Sequence, residues 1–301
     1  MGYLTQWSFD PFLIVVALVV AAHERGLARL AARSRSVRNR QRRRRAWLFY
    51  AGLALLLLAV VSPIDYWADD YFFVHMVEHI LLMFFAPMLI VAGAPWLPLV
   101  HAVPVGTRRR VGRAVLLGAW ARPLRSVGRF CTSGAVAVVV FNVVMVFWHL
   151  PGPFDLAENN QLIHIWLMHG SFFVAGVAFW LQIVPSYPIK PKLSAVGKIG
   201  AILGTNVVMT FLAMALSILA SQSWYPVYDH LVGVRLSPFV DQQIGAAILW
   251  VCGDFWALPA LVKVIRDAVV EEGSASALVD RFFHRPAWAV DGQRTGTGPS
   301  R

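Results

Sequence analysis

Residues 71–97 read YFFVHMVEHILLMFFAPMLIVAGAPWL, and this stretch decides the class of fold. It contains a single acidic residue, Glu78, and neither lysine nor arginine. A helix needs roughly 17 to 25 apolar residues to cross about 30 Å of hydrocarbon, and this block is long enough. The stretch therefore predicts a transmembrane helix, in which Pro87 and the prolines beyond it favour a kink or an early end.

Apolar blocks of similar length recur along the 301-residue chain, which is 58% hydrophobic and only 14% charged. The predicted spans are residues 11–26, 46–62, 71–97, 130–150, 162–184, 198–220 and 243–266. We expect an all-α integral membrane bundle of about seven transmembrane helices in residues 1–270, followed by a polar, disordered cytoplasmic tail in residues 271–301. No basic residue precedes the first block and no cleavage site follows it, so it predicts a retained helix rather than a signal peptide.

The net charge of +11 at pH 7 is concentrated in alternate loops. Ten arginines lie in residues 25–45, seven in residues 97–130, and three lysines in residues 190–198. The intervening loops are acidic, and Arg235 is their only basic residue. The positive-inside rule therefore predicts an extracytoplasmic N-terminus and a cytoplasmic C-terminus, and the charge does not indicate nucleic-acid binding. The arginine runs are expected to contact water or lipid headgroups, and residues 106–120 predict a short interfacial helix.

Histidines gather at one predicted membrane surface. Six of the nine lie at the extracytoplasmic ends of helices or in an outer loop, namely His75, His79, His149, His164, His169 and His230. His75 and His79 are spaced i, i+4, so they share one helical face within roughly 12 Å of the helix start. Several imidazoles at one depth favour a metal or redox role, because ionisable groups inside a membrane are costly.

Methionines extend the same helical faces and influence the choice of metal. Met83 follows His79 by four residues, and Met168 follows His164 by four. Imidazole and thioether together suit copper, with methionine favouring Cu(I). His164 and His169 differ by about 140° around an ideal helix, so they share a ligand only if the helix is locally distorted. The alternative is that these histidines hydrogen-bond between helices and the methionines simply pack.

Other interpretations of the same residues stay open. The run HMVEH at residues 75–79 matches the H-x-x-E-H pattern of a zinc protease with Glu78 as base, although the match is short. Paired histidines on neighbouring helices are also compatible with haem. Asp241 either supports the metal site by orienting an imidazole or caps the start of its own helix. Asp254 lies near mid-membrane and either serves ion passage or bonds to Asn206 or Thr210.

Three ordered segments resemble a known family. They are HMVEHILLMFFAPMLIVAGAPWLPL at residues 75–99, WHLPGPFDLAENNQLIHIWLMHGSFFVAGVAFW at residues 148–180 and DQQIGAAILWVCGD at residues 241–254. Together they resemble the seven-helix, polytopic CtaG-type cytochrome c oxidase assembly factors of Gram-positive bacteria, over about residues 50–270. The unrelated single-span copper chaperones that share the CtaG name are a different family.

The resemblance implies a non-enzymatic protein of the bacterial cytoplasmic membrane that helps build a haem-copper oxidase. Its expected partners are an oxidase subunit and the lipid bilayer, and its expected cargo is copper handled at the outer face. The residues that the resemblance brings forward are His75, His79, His149, His164 and His169, with Asp241 as a supporting group. A cation transporter, or a metal-free scaffold for oxidase subunits, remains an alternative interpretation.

Overall fold

Long helices joined by short turns make up the described part of the chain. The computed structural model describes residues 7, 12–32, 34, 36–131, 133–231 and 236–272. Its α-helices are α1 (Phe12–Ala31), α2 (Ser36–Val61), α3 (Pro63–Ala68), α4 (Phe72–Ile80), α5 (Ala86–Gly93), α6 (Trp96–Ala102), α7 (Val105–Leu117), α8 (Arg122–Cys131), α9 (Gly134–Trp148), α10 (Pro151–Glu158), α11 (Gly170–Ile183), α12 (Ala195–Ser217) and α13 (Pro238–Glu272). Within these residues there is no β-strand, so the predicted all-α class is confirmed.

Two π-helical segments interrupt the α-helices without breaking the chain direction. Leu81–Phe85 joins α4 to α5, and Ile163–His169 leads into α11. The first segment has a local cause, because Pro87 cannot donate to the carbonyl of Met83 and its ring crowds that carbonyl. Widening the turn to i→i+5 hydrogen bonds relieves this conflict.

Five helices are long and apolar enough to cross a membrane. They are Ser36–Val61, Phe72–Gly93, Ile163–Ile183, Ala195–Ser217 and Pro238–Val270. A sixth span results if α9 and α10, bent by 73° at residues 149–150, count as one broken span. The first predicted span is helical, but α1 carries Glu24, Arg25 and Arg29 and is not among the five. A multi-pass membrane protein is therefore supported, whereas the count of seven and the orientation stay predictions.

Several predicted boundaries move. The helix of residues 71–97 ends at Gly93, where Ala94 adopts a left-handed conformation, so the early end is confirmed. Helix α2 begins at Ser36, ten residues before the predicted start at residue 46, and its arginines are helical rather than in a loop. A helix is present near residues 106–120, as Val105–Leu117 with no buried side chain, and its place at the membrane interface stays a prediction. The predicted tail lies outside the described residues from residue 273 onward.

Close helix contacts position the histidine-bearing segments. Helix α13 packs against both α12 and α4, and α11 packs against α9 and α5. Gly245 of α13 faces the ring of Phe72, and a Cβ there would lie 2.6 Å from that ring. Gly176 of α11 faces the carbonyl of Met83 in the same way. These contacts bring α4 and the π-helical start of α11 side by side.

Candidate functional site

The first turns of α4 present three buried titratable side chains. His75 and Glu78 are 0% exposed, and His79 is 3% exposed. The i, i+4 spacing places both imidazoles on one face, with ring centroids 4.1 Å apart and planes at 88°. Their Nε2 atoms point at one another. Helix α4 therefore supplies the pair of imidazoles that the spacing predicts.

The π-helical turn at Ile163–His169 brings the second pair of histidines together. Residues five apart lie on the same face when hydrogen bonds run i→i+5, unlike in an α-helix. The rings of His164 and His169 accordingly have centroids only 4.3 Å apart. The local distortion required for these two residues to share a ligand is present.

The two histidine pairs meet around one acidic side chain. Ligand atoms of His75, Glu78, His164 and His169 all lie within 4.8 Å of one another, and we call these four residues the inner group. The Nε2 atom of His169 lies 3.4 Å from Oε1 of Glu78. Nitrogen and oxygen atoms converging at this distance are able to hold a metal ion after modest side-chain movement.

A second group adjoins the first and shares one of its histidines. Asp69, Glu158 and His164 also place ligand atoms within 4.8 Å of one another, and we call them the outer group. The carboxylate Oε1 of Glu158 is 3.6 Å from Nδ1 of His75 and 3.7 Å from Nε2 of His164. Asp69 is exposed as a residue, but partial desolvation of its carboxyl, together with neighbouring Asp70, raises the pKa of that carboxyl. The two groups thus run from the protein surface into the buried interior.

His149 lies beside the inner group rather than within it. Its ring centroid is 5.7 Å from that of His79, and its Nδ1 lies 2.6 Å from the carbonyl oxygen of Met145. A carbonyl only accepts hydrogen bonds, so Nδ1 carries the proton and Nε2 keeps its lone pair. His149 therefore offers one ring nitrogen to a ligand.

Tyr228 assigns the proton of His75 in a similar way. Its hydroxyl donates to the carbonyl of Ala68 at 3.1 Å and lies 3.2 Å from Nδ1 of His75. Burial raises the pKa of this phenol well above its usual value, so it keeps its single proton. Because the Tyr228 hydroxyl donates to Ala68, His75 donates from Nδ1. Its Nε2, which faces Nε2 of His79, then carries the lone pair that would bind a metal ion.

Many polar atoms of this region are buried without a hydrogen-bond partner among the described residues. They are Oε1 and Oε2 of Glu78, Nδ1 of His79, Nε2 of His149, Oε1 of Glu158, Nε2 of His164 and Nε2 of His169. Each buried polar atom left unpaired costs about 1–3 kcal/mol, and charged groups cost more. The arrangement therefore needs a ligand, or protons, to be stable.

Asp241 has a role that neither interpretation of the sequence described. Its carboxylate accepts hydrogen bonds from the backbone N–H groups of Phe72 and Phe73, at 2.8 and 3.0 Å. It therefore caps the start of α4, the helix that carries His75, instead of its own helix or an imidazole. The reason is tertiary, because α13 packs alongside α4 and places Asp241 at the end of that helix.

The remaining predicted residues are placed as follows. Met83 and Met168 are buried, at 2% and 0% exposure, and their role as ligands stays a prediction. Asp254 is exposed, and no hydrogen bond joins it to Asn206 or Thr210 in the described residues, so that pairing is wrong. The side chain of His230 lies outside the described side chains.

Glu158, Asp69 and Tyr228 were missed as parts of the site. The signal for the two acids was present, because each precedes a histidine of the site by six residues. Asp69 follows α3, and Glu158 is the last residue of α10. Tyr228 had no such signal, since it belongs to the turn Pro226–Leu231, which lies far along the chain from α4. Only tertiary packing brings this turn to His75.

Comparison with known proteins finds relatives in three mycobacteria. The chain is 27% identical to an uncharacterized protein of Mycobacterium bovis and to one of Mycobacterium tuberculosis, over 92% of this chain and 42% of each relative. It is 24% identical to an uncharacterized protein of Mycobacterium leprae, over 87% of this chain and 39% of that relative. The chain thus spans about two fifths of the length of these relatives. No solved structure matches it.

The family match covers most of the chain. The family described as cytochrome c oxidase caa3 assembly factor (Caa3_CtaG) matches residues 21–269, which include every helix of the site. This range contains the inner and outer groups as well as the capping residue Asp241. The chain therefore belongs to the cytochrome c oxidase caa3 assembly factor family.

Proposed function

We propose that this chain helps assemble a haem-copper cytochrome c oxidase by binding copper transiently and passing it to an oxidase subunit. The observation that carries the proposal is the set of buried, unpaired ring nitrogens and carboxylate oxygens in and around the inner group. A purely structural cluster would satisfy these atoms with hydrogen bonds, because leaving them unpaired is costly. A metal ion satisfies several of them at once.

The donor set suits copper. Imidazole nitrogens bind copper well, and copper stands at the top of the divalent affinity series for nitrogen and oxygen sites. Glu78 and Glu158 add oxygen donors that suit Cu(II), whereas Met83 and Met168 would favour Cu(I). Both oxidation states therefore belong in the binding test.

A transfer role fits the way the two groups are connected. His164 belongs to both groups, and the outer group reaches the surface only at Asp69, because the Glu158 side chain is 4% exposed. A copper ion captured near Asp69 has a donor at each step toward His75, and the same path leads back to a partner at the surface. A site that passes copper to a partner needs a path to the surface, because an ion enclosed on all sides is released slowly.

A non-catalytic role is favoured over hydrolysis by the burial of the H-x-x-E-H residues. A catalytic zinc site keeps one coordination position open to water and substrate. His75 and Glu78 are instead 0% exposed, and the imidazoles of His164 and His169 crowd the same space. The geometry therefore favours holding an ion over acting on a bulky substrate.

The test in cells is oxidase activity in a strain that lacks this gene. Wild type should restore the activity, and His75→Ala with His79→Ala should not unless copper is added. His101→Ala is the matched control, because His101 lies past the far end of α5, beside the carbonyl of Leu97. Unchanged oxidase activity after deletion would refute the assembly role.

The test in vitro separates copper handling from a metal-free scaffold. Purified wild type, the double variant and the His101→Ala control are titrated with Cu(I), Cu(II) and Zn(II), and bound metal is measured after gel filtration. We expect copper to bind wild type and the control tightly and the double variant weakly. A double variant that binds no copper yet restores oxidase fully would establish the scaffold role instead.

A further inference from the structure

A cavity lies at the end of the molecule remote from the inner group, between α2 and the turn after α5. Its volume is about 340 Å³, within the range of about 300–1,000 Å³ that is usual for ligand sites. Its lining includes Arg38, Arg42, Arg45, Ala94, Leu97 and Pro98. One wall is therefore rich in guanidinium groups and the other is mostly apolar.

The basic wall is one face of α2. Arg38, Arg42 and Arg45 follow one another at helical spacings of four and three, so their side chains project in the same direction. Arg40 and Arg44 belong to the same helix but lie outside the lining. Three arginines of α2 thus line the cavity, and others on the same helix point away from it.

The positive charge in the cavity is not neutralised by the described residues. Glu24 is the nearest acid along α1, and both of its carboxylate oxygens are engaged by Arg43, at 2.7 and 2.6 Å. Arg42 bonds to the hydroxyl of Ser34 at 2.9 Å, whereas no described side chain pairs with Arg38 or Arg45. Two guanidinium groups therefore remain available to an anion.

A nearby arginine shows what a purely structural guanidinium does in this fold. Arg29 donates to the carbonyls of His101 and Ala102, at 3.0 and 2.8 Å, and so caps the C-terminal end of α6. Arg38 and Arg45 make no such bond to the end of α5, although Gly93 and Ala94 line the same cavity. Capping therefore does not account for them.

We infer that this cavity binds the phosphate headgroup of an anionic phospholipid. Guanidinium groups bind phosphate oxygens in pairs, and basic pockets between helices on the arginine-rich side of membrane proteins suit lipid headgroups. The apolar residues Leu97 and Pro98 offer a surface for the glycerol and the first acyl carbons. An inorganic phosphate ion makes no favourable contact with apolar side chains, so the apolar wall favours a lipid over free phosphate.

The test is lipid binding to the purified full chain, measured by native mass spectrometry. The protein is exchanged into nanodiscs of phosphatidylcholine with or without phosphatidylglycerol. R38Q/R45Q removes the two unpaired cavity charges, and R40Q/R44Q removes two charges from the same helix outside the cavity. Thermal unfolding of each variant checks that it is folded.

We expect one phosphatidylglycerol to be retained per chain. R38Q/R45Q should weaken this binding about 25-fold, at about 5-fold for each arginine, and R40Q/R44Q should leave it nearly unchanged. Equal weakening in both variants would mean diffuse attraction and overturn the inference, as would equal retention of phosphatidylcholine. Displacement of the lipid by inorganic phosphate would identify a soluble phosphate as the ligand. None of these readouts depends on copper.

Discussion

Single atoms outside the inner group decide which ring nitrogens face it. The carbonyl of Met145 accepts a hydrogen bond from Nδ1–H of His149, and the hydroxyl of Tyr228 accepts one from Nδ1–H of His75. Such partners hold an imidazole in one tautomer and one orientation, and their loss typically weakens metal binding 10- to 100-fold. Tyr228 is therefore a positioning residue for the proposed copper site.

Tyr228→Phe should weaken copper binding about 10- to 100-fold, because His75 loses the acceptor for its Nδ1 proton. Tyr225→Phe is the matched control, since Tyr225 is equally buried and donates to the backbone carbonyl of His149 rather than to an imidazole. Tyr225→Phe loses one hydrogen bond and Tyr228→Phe loses two, so the free energy of unfolding should fall by about 1 and about 2 kcal/mol respectively. Competition titration with a copper chelator measures the affinity, and equal losses in the two variants would contradict the positioning role.

At the scale of elements, the site depends on two irregular features of its helices. The N-terminal end of α4 is capped from another helix, by Asp241. The start of α11 is π-helical, which brings His164 and His169 to one face. Each feature uses backbone hydrogen bonding to place a side chain.

Asp241→Ala should destabilise the protein by about 0.5–2 kcal/mol, because two backbone donors of α4 lose their acceptor. Asp241→Asn keeps an acceptor oxygen and should cost less. Hydrogen exchange at Phe72 and Phe73 should rise in the alanine variant and stay low in the asparagine variant. Exchange that is unchanged in both variants would show that the cap contributes nothing.

Deletion of Trp166 should be tolerated, because removing one residue from the π-helical segment converts i→i+5 bonds into i→i+4 bonds. The spacing of the two histidines becomes four, and they still share a face. Deletion of Val174 is the control, since both residues are exposed but Val174 lies in regular α-helix. There a deletion turns all following residues by about 100°. Folded yield and copper content measure both outcomes, and equal failure of the two deletions would contradict the argument.

At the scale of the whole molecule, one transmembrane span connects the histidine site to the arginine-lined cavity. The span Phe72–Gly93 begins at the histidines and ends at the arginine-lined cavity, a distance of roughly 30 Å at 1.5 Å per residue. It is the most enclosed of the five spans, because 67% of its most apolar stretch is buried inside the protein. The proposed copper site and lipid site therefore lie at opposite ends of the central helix.

Copper at about 100 times its dissociation constant should raise the free energy of unfolding by about 2.7 kcal/mol, because it binds only the folded chain. The variant with His75→Ala and His79→Ala should show no such increase, and magnesium should stabilise neither protein. Unfolding in detergent, followed by circular dichroism with and without copper, measures the difference. An equal increase in the double variant would place the bound copper elsewhere.

Much of the fold followed from local features of the chain. Long apolar blocks predicted the all-α membrane class, because an uncharged helix of that length satisfies its own backbone in lipid. The proline-rich exit predicted the early end at Gly93, and the i, i+4 spacing predicted the meeting of His75 and His79. All of these depend on residues that are neighbours along one helix.

The rest was decided by tertiary structure. Phe72 and Asp241 are 169 positions apart, and Tyr228 reaches His75 across 153 positions, so no local pattern records either contact. The meeting of His164 and His169 depended on a change in hydrogen-bond pattern that a regular helical period does not contain. Residue spacing determines which side chains share a helix face, whereas only the packing of helices against one another determines which faces meet.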